Sequence, residues 1–198
     1  MMNPQLSRMS DGSLRFSELA PWFVGVLVQL PDLLDSDQPE EVSKRLYPEP
    51  SDNEEIQKEW EKYVRPELFA LVASAREIVL QDIGNLRLGS DPDPRGEDSE
   101  LLPPGLAMCS LDIPGKHVQA WISALNVARL TLSTRYGLED TDMAEPDDEE
   151  DDDSEELFDE RRIAVAQVHL LGFIQQMLIE EENPPPSDAE TPWNPTED

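Results

Sequence analysis

Apolar side chains recur at helical spacing along much of this chain, most clearly in Pro114–Gly137, PGKHVQAWISALNVARLTLSTRYG. On a wheel of about 100° per residue, Val118, Trp121, Ile122, Leu125, Leu132 and Tyr136 form one stripe, which predicts an amphipathic helix. Pro114 falls near its first position, and Gly137 stands where a C-terminal cap belongs. One charged residue, Arg129, lies inside the apolar stripe.

The same reading places the other elements. Residues 1–12 are expected to be disordered. Leu14-Arg15-Phe16 alternates as a short strand would. Ser17 or Ala20 opens a helix with Pro21 in its first turn, and Trp22, Phe23, Val26, Leu27, Leu30, Leu33 and Leu34 cover enough of its circumference to bury it; Pro31 kinks or ends it. Gln38–Tyr47 allows a short helix. A further helix starts behind the cap-forming Ser51, Asp52 and Asn53, with acidic residues in its first turn, and runs to Arg65. Pro66 disfavours helical geometry at the residue before it, so Pro66–Gly84 is expected as a separate helix. Its face is Leu68, Leu71, Val72, Ala75, Ile78 and Val79.

Residues 85–105 read as a surface loop. Leu106–Ile113 reads as a short strand, and pairing it with residues 14–16 would add a small two-stranded accessory ribbon. From Leu157 onward two apolar stripes share a closing helix: Leu157, Ala164, Val168, Leu171 and Leu178, beside Ile163, Leu170, Ile174 and Met177. The expectation is an all-α fold, a helical bundle of about five helices. It divides as a disordered N-terminus (1–12), the first part of a helical domain (13–138), an acidic disordered insert (139–156), the closing helix (157–181) and a disordered tail (182–198).

Charge narrows the partners. The formal net charge is −29, and residues 139–160 hold fifteen Asp or Glu and no Lys or Arg. Phosphate backbones and anionic membranes repel such a surface, so neither direct nucleic-acid binding nor membrane association is expected; a protein with a basic surface fits. The apolar stretch Leu19–Leu34 is too short and broken to span a bilayer, and the opening residues lack the pattern of a secretory leader. With a single cysteine, Cys109, the chain fits a reducing compartment, and a cytoplasmic location is expected.

Few residues invite chemistry. Arg129 either snorkels its head to water or meets a buried carboxylate, for which Asp82, ending the apolar stripe of its helix, is the candidate. The simplest reading is a structural ion pair; the alternative is an anion or partner-peptide site. Asn126 and Arg135 lie towards the edges of the same face, Arg135 as a partner for the helix's terminal carbonyls, and Trp121 reads as a core aromatic. Cys109 is a candidate redox thiol, though packing as a small hydrophobe is its ordinary role. His117 and His169 lack metal-ligand spacing, and no phosphate-loop, dinucleotide or nucleophile-elbow motif occurs, so no cofactor is expected. Asp147, Asp148, Glu149, Glu150, Asp151, Asp152 and Asp153 lack the calcium-loop pattern and read as a solvated linker or as an acidic docking segment for a basic partner.

AWISALNVARLTLSTRYGLED (Ala120–Asp140) resembles the signature of a bacterial, actinobacterial-type family of small proteins of unknown function, close to W-L-x-A-L-N-x-x-R-L-x-L-G-T-R-L-G-x-x-E-D. Trp121, Ala124, Leu125, Asn126, Arg129, Leu130, Leu132, Thr134, Arg135 and Gly137 match, and the acidic pair Glu139 and Asp140 follows the glycine after one residue rather than two; Ser133 replaces a glycine and Tyr136 a leucine. Leu46–Leu80 and Val165–Ile179 are similar as well. The family includes AosR-like oxidative stress regulators. The resemblance implies action through a sigma factor on cysteine-biosynthesis genes, or proximity to a proteolytic adaptor of the ClpS type. Sensing there is attributed to an internal disulfide, which a chain with Cys109 alone cannot form. The resulting expectation is a non-enzymatic regulatory or adaptor protein acting by protein–protein contact. An enzyme with a polar site at Asn126, Arg129 and Arg135 is the alternative.

Overall fold

The two strand segments anticipated as an accessory ribbon form the centre of a four-stranded antiparallel sheet, and the all-α expectation gives way to a mixed helix-and-sheet fold. The computed structural model describes residues 4–89, 108–139 and 160–183. The acidic insert beyond Glu139, most of the 85–105 loop and the tail beyond Asn183 lie outside them. Strands β1 (Gln5–Arg8), β2 (Leu14–Leu19), β3 (Arg87–Leu88) and β4 (Cys109–Ile113) lie in the order β1-β2-β4-β3.

Leu14 pairs with Ile113 and Phe16 with Leu111; beyond Phe16 the register slips at a bulge, where Glu18 takes a φ of 58°. The extra residue changes the spacing of inward side chains, so Leu14, Phe16 and Leu19 all reach the core. Strict alternation stops at that bulge, which is why only residues 14–16 read as a strand. Arg15 fastens the same pair, its Nε and Nη2 donating to Asp112 at 2.6 and 2.9 Å. This contact holds the Asp112 carboxyl below its ordinary range, against the opposing pull of burial.

Residues 5–8, expected to be disordered, form edge strand β1. Of its residues only Leu6 packs against the core, so no periodic pattern announces it. The strand is held by pairing with β2 and by Arg8, which donates to the Glu181 carbonyl and lies 3.8 Å from that residue's carboxylate.

The helices are α1 (Pro21–Val28), α2 (Leu30–Leu33), α3 (Glu40–Leu46), α4 (Glu54–Glu59), α5 (Arg65–Ile83), α6 (Val118–Arg135) and α7 (Glu160–Glu182). Pro21 does occupy the first turn of α1. Trp22, expected in the core, is 54% exposed, because two turns of helix bury one side only and Phe23, Val26 and Leu27 take it. The chain does not break at Pro66. A π-helical turn, Trp60–Val64, joins α4 to α5, and the Arg65 amide bonds back to the Trp60 carbonyl, five residues away. Proline lacks an amide hydrogen and clashes with the carbonyl four residues earlier; a wider turn just before it accommodates the ring without ending the rod.

Helix α6 lies against α2, α3, α5 and α7 and is the hub of the fold. Val118, Trp121, Leu125 and Leu132 are buried as the stripe predicts, joined by Ala124, Ala128 and Thr131, while Tyr136 at the end is exposed. A one-turn 3-10 helix, Gly115–His117, separates Pro114 from α6. At the other end Gly137, with φ 56°, lets its own amide reach the Thr134 carbonyl and that of Leu138 reach Ser133, a Schellman closure. Helix α7 is long and apolar enough to cross a membrane by length and composition alone. Here Ala164, Val168, Leu170, Leu171, Ile174 and Leu178 are spent on the core, and Ile163, expected in a buried stripe, is exposed.

Candidate functional site

Asp82 is 2% exposed, at the C-terminal end of α5, where the helix dipole disfavours a carboxylate. Two donors from the start of α6 offset this. The Trp121 indole N–H donates to its Oδ2 at 2.9 Å, and His117 Nδ1 lies 3.0 Å from both carboxylate oxygens. His117 and Trp121 are one helical turn apart, so both face the same acid. Trp121 is therefore more than a core aromatic: it carries the hydrogen bond that ties α5 to α6.

The expected Arg129–Asp82 pair does not form. Asp82 sits beside the first turn of α6, whereas Arg129 lies about 18 Å further along the axis from His117. Arg129 instead points at α7. Its Nη1 donates to Gln175 Oε1 at 2.8 Å, and Gln175 Nε2 donates to the Ile122 carbonyl at 3.1 Å, which orients the amide. The guanidinium lies over Gly172, where a Cβ would stand 3.4 Å from Cζ and Nε. The Nε–H is buried and finds no acceptor among the described residues. A cleft of about 370 Å³ opens there, lined by Arg129, His169, Gly172, Phe173, Gln176 and their neighbours.

The other predicted residues do not converge on that point. Asn126 is exposed. Arg135 turns to the loop before α3, where Nη2 donates to Gln38 Oε1 at 2.7 Å, and Gln38 in turn donates to the carbonyls of Asp32, Leu33 and Asp35 at the end of α2. Arg129 and Arg135 thus turn to different neighbours, Gln175 and Gln38. Cys109 is buried in β4. Asp147 to Asp153 lie outside the described residues. Among those described, no three His, Cys, Asp or Glu side chains are grouped to hold a metal. A smaller concavity of about 140 Å³ between α3 and α5 contains Arg76, but that side chain is engaged by the Pro31 carbonyl and Asp35.

Sequence reasoning missed His117, Gln175 and Gly172. The one-turn spacing of His117 and Trp121 was legible, but the acid they share comes from another helix. Gly172 interrupts an otherwise bulky apolar run, a signal of close approach by something across the interface.

The model of a family described as a domain of unknown function, DUF2017, matches residues 10–181, and the chain belongs to that family. No curated protein and no solved structure matches it.

Proposed function

We propose that this DUF2017 member is a non-enzymatic cytoplasmic regulatory or adaptor protein that works by contact with a protein bearing a basic surface. The observation that carries the reading is the helical arm at Glu54–Val64. None of its residues is buried, yet Ile56, Tyr63 and Val64 are 49%, 58% and 42% exposed along it. Apolar side chains on a projecting helix gain free energy when a partner covers them. The charge of −29 favours a cationic partner and accelerates encounter with one. The likeness of Ala120–Asp140 to actinobacterial AosR-like regulators supports a partner in the transcription machinery, such as a sigma factor, or a ClpS-type adaptor, with oxidative stress or cysteine metabolism as the setting. With Cys109 the chain's one thiol, any thiol chemistry would have to be intermolecular.

The test uses the full chain as bait at low and high salt, with and without peroxide, beside a variant with Ile56, Tyr63 and Val64 changed to Ser and a deletion of residues 140–156. The expected result is a saturable partner that high salt releases and that the triple variant fails to hold, at unchanged melting temperature. Equal retention by wild type and both variants at every salt concentration overturns the reading.

The enzymatic alternative, a polar site at Asn126, Arg129 and Arg135, has Arg129 turned to Gln175 and Arg135 to Gln38. A second candidate pair is Asp82 and His117, whose Nδ1 lies 3.0 Å from the carboxylate. Turnover of any substrate that vanishes in His117→Gln, with the fold kept, would favour it.

A further inference from the structure

Helices α6 and α7 form the most extensive helix pair of the fold, and that pair encloses a single permanent charge. From Val118 to Thr134 and from Ile163 to Ile179, every residue except Arg129 is uncharged or a histidine. Among the described residues, the charge-bearing group of Arg129 has one partner, the neutral amide of Gln175. Nη1 is held by Gln175, while Nε–H lies beneath the surface without an acceptor among the described residues, so snorkelling serves the terminal nitrogens and leaves Nε unserved. A guanidinium offers parallel donors along its Nε edge, the geometry that a carboxylate fills with two hydrogen bonds.

We infer that the cleft over Gly172 binds a small organic carboxylate, with Arg129 as its counter-ion. The carboxylate takes the free edge of the guanidinium as that edge turns outward, which gives Nε–H its acceptor. The rest of the ligand lies against Phe173 and Ile179, which are 45% and 37% exposed beside the cleft, with His169 and Gln176 as further hydrogen-bonding groups. At about 370 Å³ the cleft has room for a small ligand. A phosphate fits less well. The site supplies one positive charge against a dianion, and mid-helix amides of α7 are already used in the helix, so no cluster of free N–H groups is available. A methyl group on Gly172 would lie in van der Waals contact with the guanidinium, 3.4 Å from Cζ and Nε, and would hinder its outward turn. This inference is independent of the partner-docking reading, since the cleft is on α6 and α7 and the arm is at residues 54–64.

The experiment is a two-dimensional NMR titration of the full chain with sodium benzoate, with sodium phosphate and sodium chloride at matched ionic strength as comparisons. Benzoate is expected to give saturable shifts centred on His169, Gly172 and Phe173, and an affinity lowered about tenfold or more in Arg129→Gln, as loss of a charge-assisted pair requires. Gly172→Ala keeps the charge and favours the helix, so it should weaken binding without lowering the melting temperature. That variant carries the comparison if Arg129→Gln does not fold. The inference is overturned if benzoate gives no saturable shift, if phosphate or chloride gives the same response, or if binding survives undiminished in the folded variants.

Discussion

Trp121 and Asp82 join the first turn of α6 to the last turn of α5 through a 2.9 Å hydrogen bond between a fully buried indole and a carboxylate that is only 2% exposed. His117 completes the arrangement from one turn before Trp121. The acid therefore lies between two helix ends of opposite dipole sign, and its position is favourable only with α6 in place.

Removing that acid should be among the most damaging single changes in the chain. Asp82→Ala leaves the Trp121 N–H and the His117 ring without their shared acceptor, and a loss of about 2–4 kcal/mol is expected. Asp82→Asn, which retains an acceptor oxygen, should cost less. Urea unfolding midpoints at constant slope measure both, and a double-mutant cycle with Trp121→Phe should show strong coupling rather than additivity.

Gly137 closes α6 in the left-handed region at φ 56°. A side chain there is strained, so Gly137→Ala should destabilise the protein by about 1 kcal/mol. The substitution tests the Schellman closure directly, because an unchanged unfolding midpoint would mean the cap contributes nothing.

Acid should weaken the β2–β4 pair through Asp112. Its folded pKa is depressed, chiefly by the hydrogen bond from Arg15, below the ordinary carboxylate value of 3.8. The contribution is complete above that unfolded-state value and is lost as the pH falls through it towards the folded pKa. Stability measured from pH 6 downwards should therefore fall less steeply in Asp112→Asn than in the wild type below about pH 4. Parallel curves would contradict this.

Pro66→Ala should relax the π turn at Trp60–Val64. With an amide restored and the ring gone, regular α-helical bonding through this stretch becomes available. Each residue removed from a widened turn rotates what precedes it by about 100°. Ile56 and Tyr63 should then face new directions, detectable as altered amide exchange and shifts confined to residues 54–66. Unchanged spectra there would show that something other than the proline holds the wide turn.

Arg129 marks the limit of periodicity. Its place inside an apolar stripe was plain from spacing, and so was its need for a partner. Choosing Asp82 required knowing how far along α6 the end of α5 lies, and periodicity carries no such information. Likewise β1 went unread because an edge strand with one inward leucine satisfies its backbone through pairing, not through a pattern of its own. Residues 106–113 read as a strand by alternation, but nothing local said that four strands would gather there.

By itself the sequence determined what depends on near neighbours along the chain. Helix faces, the Pro21 start and Gly137 stop, and the acidic character follow from side-chain volume, backbone freedom and charge over a few residues. Likeness to a family of unknown function was legible in the Ala120–Asp140 motif for the same reason. The tertiary structure decided what depends on distant chain segments meeting. It joined β2 and β4 into the centre of a sheet, gave Asp82 to Trp121 and His117, and left Arg129 over Gly172 with an amide for a partner. Those outcomes follow from packing distances between elements, set by the whole core at once.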